Sequence, residues 1–248
     1  TSVHTSEAYL WFYQDSVEEL RTIFNKLDLV MDGIPAIRFT DPEVLRLLLT
    51  EKVGKYLEYT IDADGDGMIT ENEVAILPTL TQRRDGNKSP FSGNTVIETF
   101  NEFRFFTGLE SINSGSFEGC SSLKEITLPV LTKIGDGAFT NSGIERLVIP
   151  EGYQIIGNIL QRCPNLILVD FPTTVTSIAD GGSLFWTMKN QSIVICRALT
   201  PPIFGGWGYD GDPKAIYVPD ASMDAYKSAA GWSLQAVKIY PLSTYVEA

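Results

Sequence analysis

Apolar positions recur along the chain at a spacing too long for the period of one helix or strand. Three segments are near-copies of one another: 121–129 (SSLKEITLP), 142–150 (SGIERLVIP) and 164–172 (PNLILVDFP). Weaker versions follow at 193–196 and 216–219. The central apolar position of these segments recurs every 21 to 24 residues, at Ile126, Leu147, Val169, Ile193 and Ile216. A period of this length indicates one structural unit that is copied along the chain.

A second apolar series interleaves with the first. Its members recur every 22 residues, at Ile112, Ile134, Ile156 and Ile178. In two units an aromatic residue, Phe117 or Phe139, follows five residues later. A unit of this size cannot bury its own apolar face, so neighbouring units must stack. The pattern predicts an α+β protein built on a leucine-rich-repeat solenoid, with short parallel strands and irregular backing. A parallel β-helix, which uses shorter periods, is the alternative.

Upstream of the repeats the spacing of apolar residues becomes helical. Asp41-Pro42-Glu43 has the cap, the first-turn proline and the acidic residue of a helix start. Ser16-Val17-Glu18-Glu19 is a capping box ahead of an apolar stripe, and we expect this helix to pack within the protein rather than bind a partner. We therefore predict a small helical N-terminal domain at residues 1–92, docked on the first repeat. A leucine-rich-repeat domain with a C-terminal cap follows at residues 93–248.

Residues 62–73, DADGDGMITENE, carry the strongest chemical signal in the sequence. Calcium in proteins takes roughly six to eight oxygen ligands, and an EF-hand loop supplies them at fixed positions, each of which this segment fits. The predicted ligands are Asp62, Asp64, Asp66, the Met68 carbonyl, Thr70 through a water, and bidentate Glu73. Gly67 stands where the chain must turn sharply. The segment predicts a Ca²⁺ site, and the alternative is a solvated acidic turn.

The sequence contains a single loop of this kind, whereas calcium sensors pair two loops and transmit binding by opening a helix pair. The other aspartate-rich stretch, residues 209–213, lacks the spacing and the closing glutamate. A single loop favours a structural ion, with an affinity suited to calcium-rich extracellular fluid. A dockerin-like assembly module, in which the EF-hand segment docks a partner protein, is the alternative, although two loops would favour it more.

Short motifs recur within the repeats. They are Leu-x-x-Ile-x-Leu-Pro at 123–129, Ile-Gly-x-x-Ala-Phe at 134–139 and Cys-x-x-Leu at 163–166, with a further copy of the last at 117–123. In these motifs the chain resembles the BspA-like, bacterial surface-antigen type of leucine-rich repeat, over roughly residues 97–240. An EF-hand-like segment ahead of the repeats also looks like a recurrent arrangement in such proteins. The resemblance implies a secreted or surface-anchored binding protein, with no catalytic residues to carry over.

Composition narrows the classes of partner. The chain has 248 residues, 44% of them apolar, and a formal net charge of −12 with 19 basic residues. It lacks the basic stripe that binds phosphate backbones, so we expect no nucleic-acid partner. No apolar run approaches the length of a membrane span, and we expect no transmembrane segment. We expect an extracellular or cell-surface protein whose export signal lies outside this sequence, ahead of Thr1.

Catalytic chemistry has little support in the sequence. It contains no nucleophile elbow, phosphate loop or zinc motif, and its one histidine, His4, lies near a chain end. Cys120, Cys163 and Cys196 form no disulfide framework, so we expect buried thiols that behave as small apolar residues. The sequence therefore predicts a protein that is not an enzyme and that binds a protein or a glycan.

Two surfaces are candidates for partner binding. Alternation along the repeat strands predicts an exposed face formed by Thr127, Val148, Asp170, Val194 and Tyr217. The rival is the glycine-rich loop 204–211, in which Trp207 and Tyr209 could stack on a sugar or a peptide. Single exposed apolar residues are ordinary, and the loop could instead bury its own tryptophan as part of a cap. The sequence does not decide between the two surfaces.

Overall fold

The architecture is seen in a computed structural model, which describes residues 30–31, 34–54, 56–57, 59–81, 89–131, 133–178, 191–205 and 212–247. Short parallel strands dominate these residues, as the repeat period predicts. The helix predicted after Ser16 lies outside the described residues. None of the helices in the described residues is long and apolar enough to cross a membrane.

The described N-terminal part combines two short helices with two antiparallel hairpins. Its elements are β1 (Val30–Met31), β2 (Ile34–Pro35), α1 (Pro42–Thr50), β3 (Lys52–Val53), β4 (Tyr59–Thr60) and α2 (Glu71–Ala75). α1 begins as the sequence predicts, with Asp41 as its cap and Pro42 in its first turn. One side of α1 is buried, through Val44, Leu47 and Leu48.

The segments that flank residues 62–73 differ from the two helices that enclose the loop of an EF-hand. The chain enters the loop from strand β4, because α1 ends at Thr50 and the hairpin of β3 and β4 follows it. α2 ends at Ala75, although apolar residues continue with helical spacing. Pro78 explains the early end, since a residue that precedes proline is pushed away from helical backbone. Leu77 and Leu80 are nevertheless buried.

Within the described residues, the rest of the chain supplies the remaining strands and one α-helix. In chain order these are β5 (Thr99–Phe100), β6 (Glu125–Ile126), β7 (Lys133–Ile134), β8 (Arg146–Val148), β9 (Ile155–Ile156), β10 (Leu168–Phe171), β11 (Ser177–Ile178), β12 (Ile193–Cys196), β13 (Ile203–Phe204), β14 (Ala215–Val218), α3 (Met223–Ser228) and β15 (Ile239–Pro241). Most contain two to four residues, so only stacking of successive repeats gives them a common core.

Seven of the described strands form one parallel sheet, in the order β5, β6, β8, β10, β12, β14 and β15. The register aligns one inward residue from each strand: Phe100, Ile126, Leu147, Val169, Val194, Ile216 and Ile239. All of these side chains are buried. We call the opposite side of this sheet the outer face, and it is formed by the residues that alternate with the inward column.

The second apolar series forms a second parallel sheet of β7, β9, β11 and β13, which Ile112 extends by a bridge to Ile134. Its inward residues, Ile134, Ile156 and Ile178, are buried as their 22-residue spacing predicts. Between the two sheets the rings of Phe91, Phe117 and Phe139 stack, with successive centroids 5.5 and 5.3 Å apart. The interleaved apolar series of the sequence are therefore the two walls of one core.

The N-terminal part packs directly on the first repeat. The Asp41 carboxylate accepts from the Glu43 amide with Oδ1, at 2.9 Å, and from the Glu98 amide with Oδ2, at 2.7 Å. One side chain thus caps α1 and also covers the edge of the sheet next to β5. Gly108 touches α2, because a Cβ added there would lie 1.9 Å from the Ala75 carbonyl oxygen.

The C-terminal part closes the other end of the core with aromatic residues. Tyr226 of α3 and Trp232 are fully buried and meet edge to face, and Phe204 of β13 packs on Trp232 at 4.8 Å between ring centroids. The Trp232 indole donates to the Pro202 carbonyl at 2.9 Å. These contacts supply the aromatic cover that an open solenoid end requires.

Candidate functional site

The acidic loop brings three of its predicted ligands together. One carboxylate oxygen from each of Asp62, Asp64 and Asp66 lies within 4.8 Å of the others. Asp62 fixes the turn, since its two oxygens accept from the Gly65 amide at 2.9 Å and the Gly67 amide at 3.0 Å. Gly67 has φ +81°, a left-handed conformation that glycine adopts without a Cβ penalty.

Glu73, the predicted closing ligand, faces the loop from the first turn of α2. One of its oxygens accepts from the Ala63 amide at 2.8 Å, and the other accepts from the Thr70 amide at 2.8 Å and the Thr70 hydroxyl at 2.9 Å. Thr70 is the N-cap of α2 and forms a capping box with Glu73. Met68 is buried, and its amide donates to Asp66 at 2.7 Å. Glu73 Oε1 accepts one bond and keeps a lone pair for a cation, whereas Oε2 already accepts two bonds.

The electrostatics of the loop suit a divalent cation. Burial raises the pKa of Asp62 and of Asp66 above the ordinary value, and the neighbouring charge of Glu73 adds to the rise at both. Amide bonds from the loop oppose the rise at both residues. A bound cation would remove the repulsion among these carboxylates. An all-oxygen, carboxylate-rich donor set is the chemistry that calcium prefers, so the residues present fit Ca²⁺.

One edge of the loop is already paired within this chain. The Ile37 amide donates to the Ile69 carbonyl at 2.8 Å, and Ala36 and Thr70 form an antiparallel bridge. Ile69 is buried, as expected for the residue that anchors the loop. The segment that leads to α1 and the acidic loop are therefore joined by backbone hydrogen bonds, a contact that the sequence pattern does not predict.

The outer face of the seven-stranded sheet agrees with three of the five predicted surface positions. Thr127 is exposed, Val148 is 55% exposed, and Tyr217 is partly exposed. The Thr127 hydroxyl donates to the Asn101 side chain at 2.9 Å. At the C-terminal edge, Tyr240 of β15 is 44% exposed and neighbours Tyr217. The register places Val148, Asp170 and Tyr217 in one row across the sheet, together with Ile195.

Two of the predicted surface positions are wrong. Val194 points inward and is fully buried, because β12 aligns Val194, and not Ile193, with Val169 and Ile216. Asp170 lies on the outer face but is covered, because Arg197 forms a bidentate ion pair with it at 2.8 and 2.7 Å. The hydrogen bond with Asp170 raises the pKa of Arg197. The predicted loop residues Trp207 and Tyr209 lie outside the described residues.

The structure adds a rival surface on the second sheet. A groove of about 530 Å³ lies beside β7 and β9, lined by residues that include Lys133, Asp136 and Ile155. Ile155 is exposed on the outer side of that sheet. No motif in the sequence marks this groove, because its lining comes from three successive repeats.

A further feature missed by the sequence pattern is the C-terminal tail, residues Tyr245–Glu247. The tail returns to the outer face of the seven-stranded sheet. The Tyr245 ring meets the Tyr217 ring edge to face at 5.1 Å, and the Glu247 carboxylate accepts from Arg146 at 2.6 Å. Arg146 and Glu247 are 101 residues apart in sequence, so local patterns cannot reveal the contact.

Comparison with known families agrees with the repeat architecture. No curated protein matches the chain. The family model described as the BspA type Leucine rich repeat region matches residues 94–201 in six copies, somewhat less than half of the chain. This match confirms the repeat type predicted from residues 123–129 and 134–139, although it ends before residue 240. The resemblance to this repeat family therefore extends over residues 94–201.

Proposed function

We propose that this protein is a recognition module, extracellular or on a cell surface, that binds a protein partner through the outer face of its seven-stranded sheet. The outer face is the main observation behind the proposal. Each repeat contributes outward residues to it, and Val148 and Tyr240 are exposed there. Solenoids present such continuous surfaces on a rigid backbone. The BspA-type repeats at 94–201 support the same function. A glycan ligand is the alternative within this proposal.

We propose binding without catalysis. The three thiols are buried, and burial raises the pKa of Cys120 to about 12 and of Cys196 to about 11. A nucleophilic cysteine reacts as the thiolate, which such a rise removes at neutral pH. This supports a structural role for the thiols, and Cys120 donates to the Phe91 carbonyl inside the core.

We propose in addition that Ca²⁺ stabilises the N-terminal part by binding to the loop 62–73. Support comes from the convergence of the carboxylates of Asp62, Asp64 and Asp66. The raised pKa values of Asp62 and Asp66 add to this support. The ion would supply charge neutralisation and hold the loop closed. The position of the loop supports a structural role, since its edge pairs with Ala36 and Ile37 and its exit helix reaches the first repeat.

The dockerin-like alternative has less support. A docking segment needs a free surface, whereas here the loop edge is paired and α2 touches Gly108 of the first repeat. These contacts favour a calcium loop that serves the fold over one that recruits a partner.

A binding array with matched variants tests the recognition proposal. The purified chain is screened on extracellular proteins and glycans, and each hit is repeated with Val148→Asp, Ile155→Asp and Val130→Asp. Each substitution places the same charge at an exposed apolar residue: on the outer face, on the second sheet, and outside both sheets. Loss of a protein hit with Val148→Asp alone supports the proposal. Loss with Ile155→Asp alone assigns binding to the groove, and a hit that is only a glycan favours the alternative.

Calorimetric titration and thermal melting test the calcium proposal. At a hundredfold excess over its dissociation constant, an ion that binds only the native state adds about 2.7 kcal/mol to stability. Asp64→Asn with Asp66→Asn should abolish this gain, whereas Asp224→Asn, at an exposed position in α3, should keep it. Equal melting temperatures of the unmodified chain in calcium and in chelator, with no heat of binding, would disprove the site.

A further inference from the structure

The C-terminal tail, Tyr245–Glu247, spans the centre of the outer face. Its first contact is with Tyr217 on β14, and its last is with Arg146 on β8. The sheet order places β10 and β12 between those two strands. The tail therefore crosses two strands within three residues, which requires an extended backbone and long side chains at both ends.

An apolar strip lies on the same face between the two tail contacts. Leu168 is 4% exposed and Ile195 is 1% exposed, and Ala215 is also buried. These residues alternate along their strands with the inward Val169, Val194 and Ile216, so they face away from the main core. Consistently, they do not belong to the contiguous cluster of buried residues that fills the solenoid. The outer face thus contains a covered apolar strip with an arginine at one end and a tyrosine at the other.

The tail is only weakly held on the outer face. Glu247 is exposed over 73% of its side chain, and Val246 is 83% exposed. An ion pair in such an exposed setting contributes little, because water screens it and both side chains lose freedom. A segment held mainly by one exposed ion pair and one aromatic contact can be displaced by a competitor of the same chemistry.

We propose that the apolar strip is a binding site for an extended segment of a partner protein that carries an aromatic residue and, two positions later, an acidic residue. The tail of this chain occupies the site in cis and competes with the partner. The aromatic residue of the partner meets Tyr217, and its carboxylate meets Arg146. This inference rests on the proposed function, since it specifies the ligand of the same outer face.

The test uses a labelled peptide with the sequence of residues 242–247, LSTYVE, and fluorescence anisotropy. A chain that ends at Thr244 should bind the peptide. The full chain should bind it roughly tenfold more weakly or worse, because its own tail competes at a high effective concentration. The full chain with Tyr245→Ala and Glu247→Lys should also bind the peptide. This variant would show that loss of the two tail contacts, and not the truncation itself, restores binding.

A charge reversal tests the assigned contact. In the shortened chain, Arg146→Glu should abolish binding of LSTYVE and should allow binding of the peptide LSTYVK. Lys124→Glu, at an exposed residue outside the strip, should change neither affinity. The proposal is overturned if neither the shortened chain nor the doubly substituted full chain binds LSTYVE at millimolar concentration, or if Arg146→Glu leaves binding intact. A protein from the array that loses binding with Val148→Asp, yet binds full and shortened chains equally, would refute competition by the tail while the proposed function stands.

Discussion

Asp41 should contribute more to stability than an ordinary helix cap, because its two carboxylate oxygens serve two elements. Oδ1 accepts from the Glu43 amide in α1, and Oδ2 accepts from the Glu98 amide at the edge of the sheet. An N-cap contributes about 1 kcal/mol, and a hydrogen bond to a charged group contributes about 1.5–3 kcal/mol. Asp41→Ala should therefore lower the free energy of unfolding by roughly 2.5–4 kcal/mol.

Asp41→Ser separates the two contributions. Serine caps a helix well, but its single oxygen on a short side chain cannot also reach the Glu98 amide. This variant should be about 1 kcal/mol more stable than Asp41→Ala and about 1.5–3 kcal/mol less stable than the unmodified chain. Asp224→Ala, which removes an exposed aspartate from the first turn of α3, is the matched control and should cost about 0.5 kcal/mol or less.

The measurement is urea unfolding followed by circular dichroism, with the slope against denaturant compared across the variants. An unchanged slope shows that the midpoints report stability rather than a change in the surface exposed on unfolding. If Asp41→Ser is as stable as the unmodified chain, the bond to the Glu98 amide contributes nothing. The reasoning that Asp41 joins the N-terminal part to the repeats would then be wrong.

Three further predictions concern the same junction and the core. A fragment of residues 94–248 should aggregate or melt at a lower temperature than the full chain, since it exposes the apolar core of the first repeat; a soluble fragment that melts like the full chain would contradict this. Gly108→Ala should lower the melting temperature more than Gly93→Ala, because the first drives a Cβ against the Ala75 carbonyl, whereas the second has open space and costs only the strain of its φ of +76°. Cys120 should resist alkylation at pH 8 until denaturant is added, because its pKa in the folded chain is about 12; labelling of the native chain would refute the burial.

The repeat architecture could be predicted from the sequence because the same local pattern occurs several times. Ile126, Leu147 and Val169 each sit in a motif that fixes which side faces inward, and the structure agrees at all three. In β12 the motif has become four successive apolar residues, and alternation then gives no preference between Ile193 and Val194. Only pairing with the neighbouring strands selects Val194, which is why the prediction fails there.

The candidate site was predictable only where its residues are close in sequence. The three loop aspartates are two residues apart, so one motif contains the arrangement that brings their carboxylates together. Contacts between segments that are far apart in the sequence are not marked by any such motif. The pair of Asp170 and Arg197 depends on strand register, and the tail contact at Arg146 depends on the whole stack of repeats. An isolated aspartate in the otherwise apolar β10 was the one local sign of a hidden partner.

The reach of the tail limits how this solenoid can change in length. Insertion of one more repeat of 21 to 24 residues would lengthen both sheets and leave the core pattern intact. A strand added between β8 and β14 would, however, move Arg146 about 4.8 Å farther from Tyr217. Residues Tyr245–Glu247 would then be too short to touch both. A duplication of repeats in this region therefore has to be accompanied by a longer C-terminal segment if the two contacts are to persist.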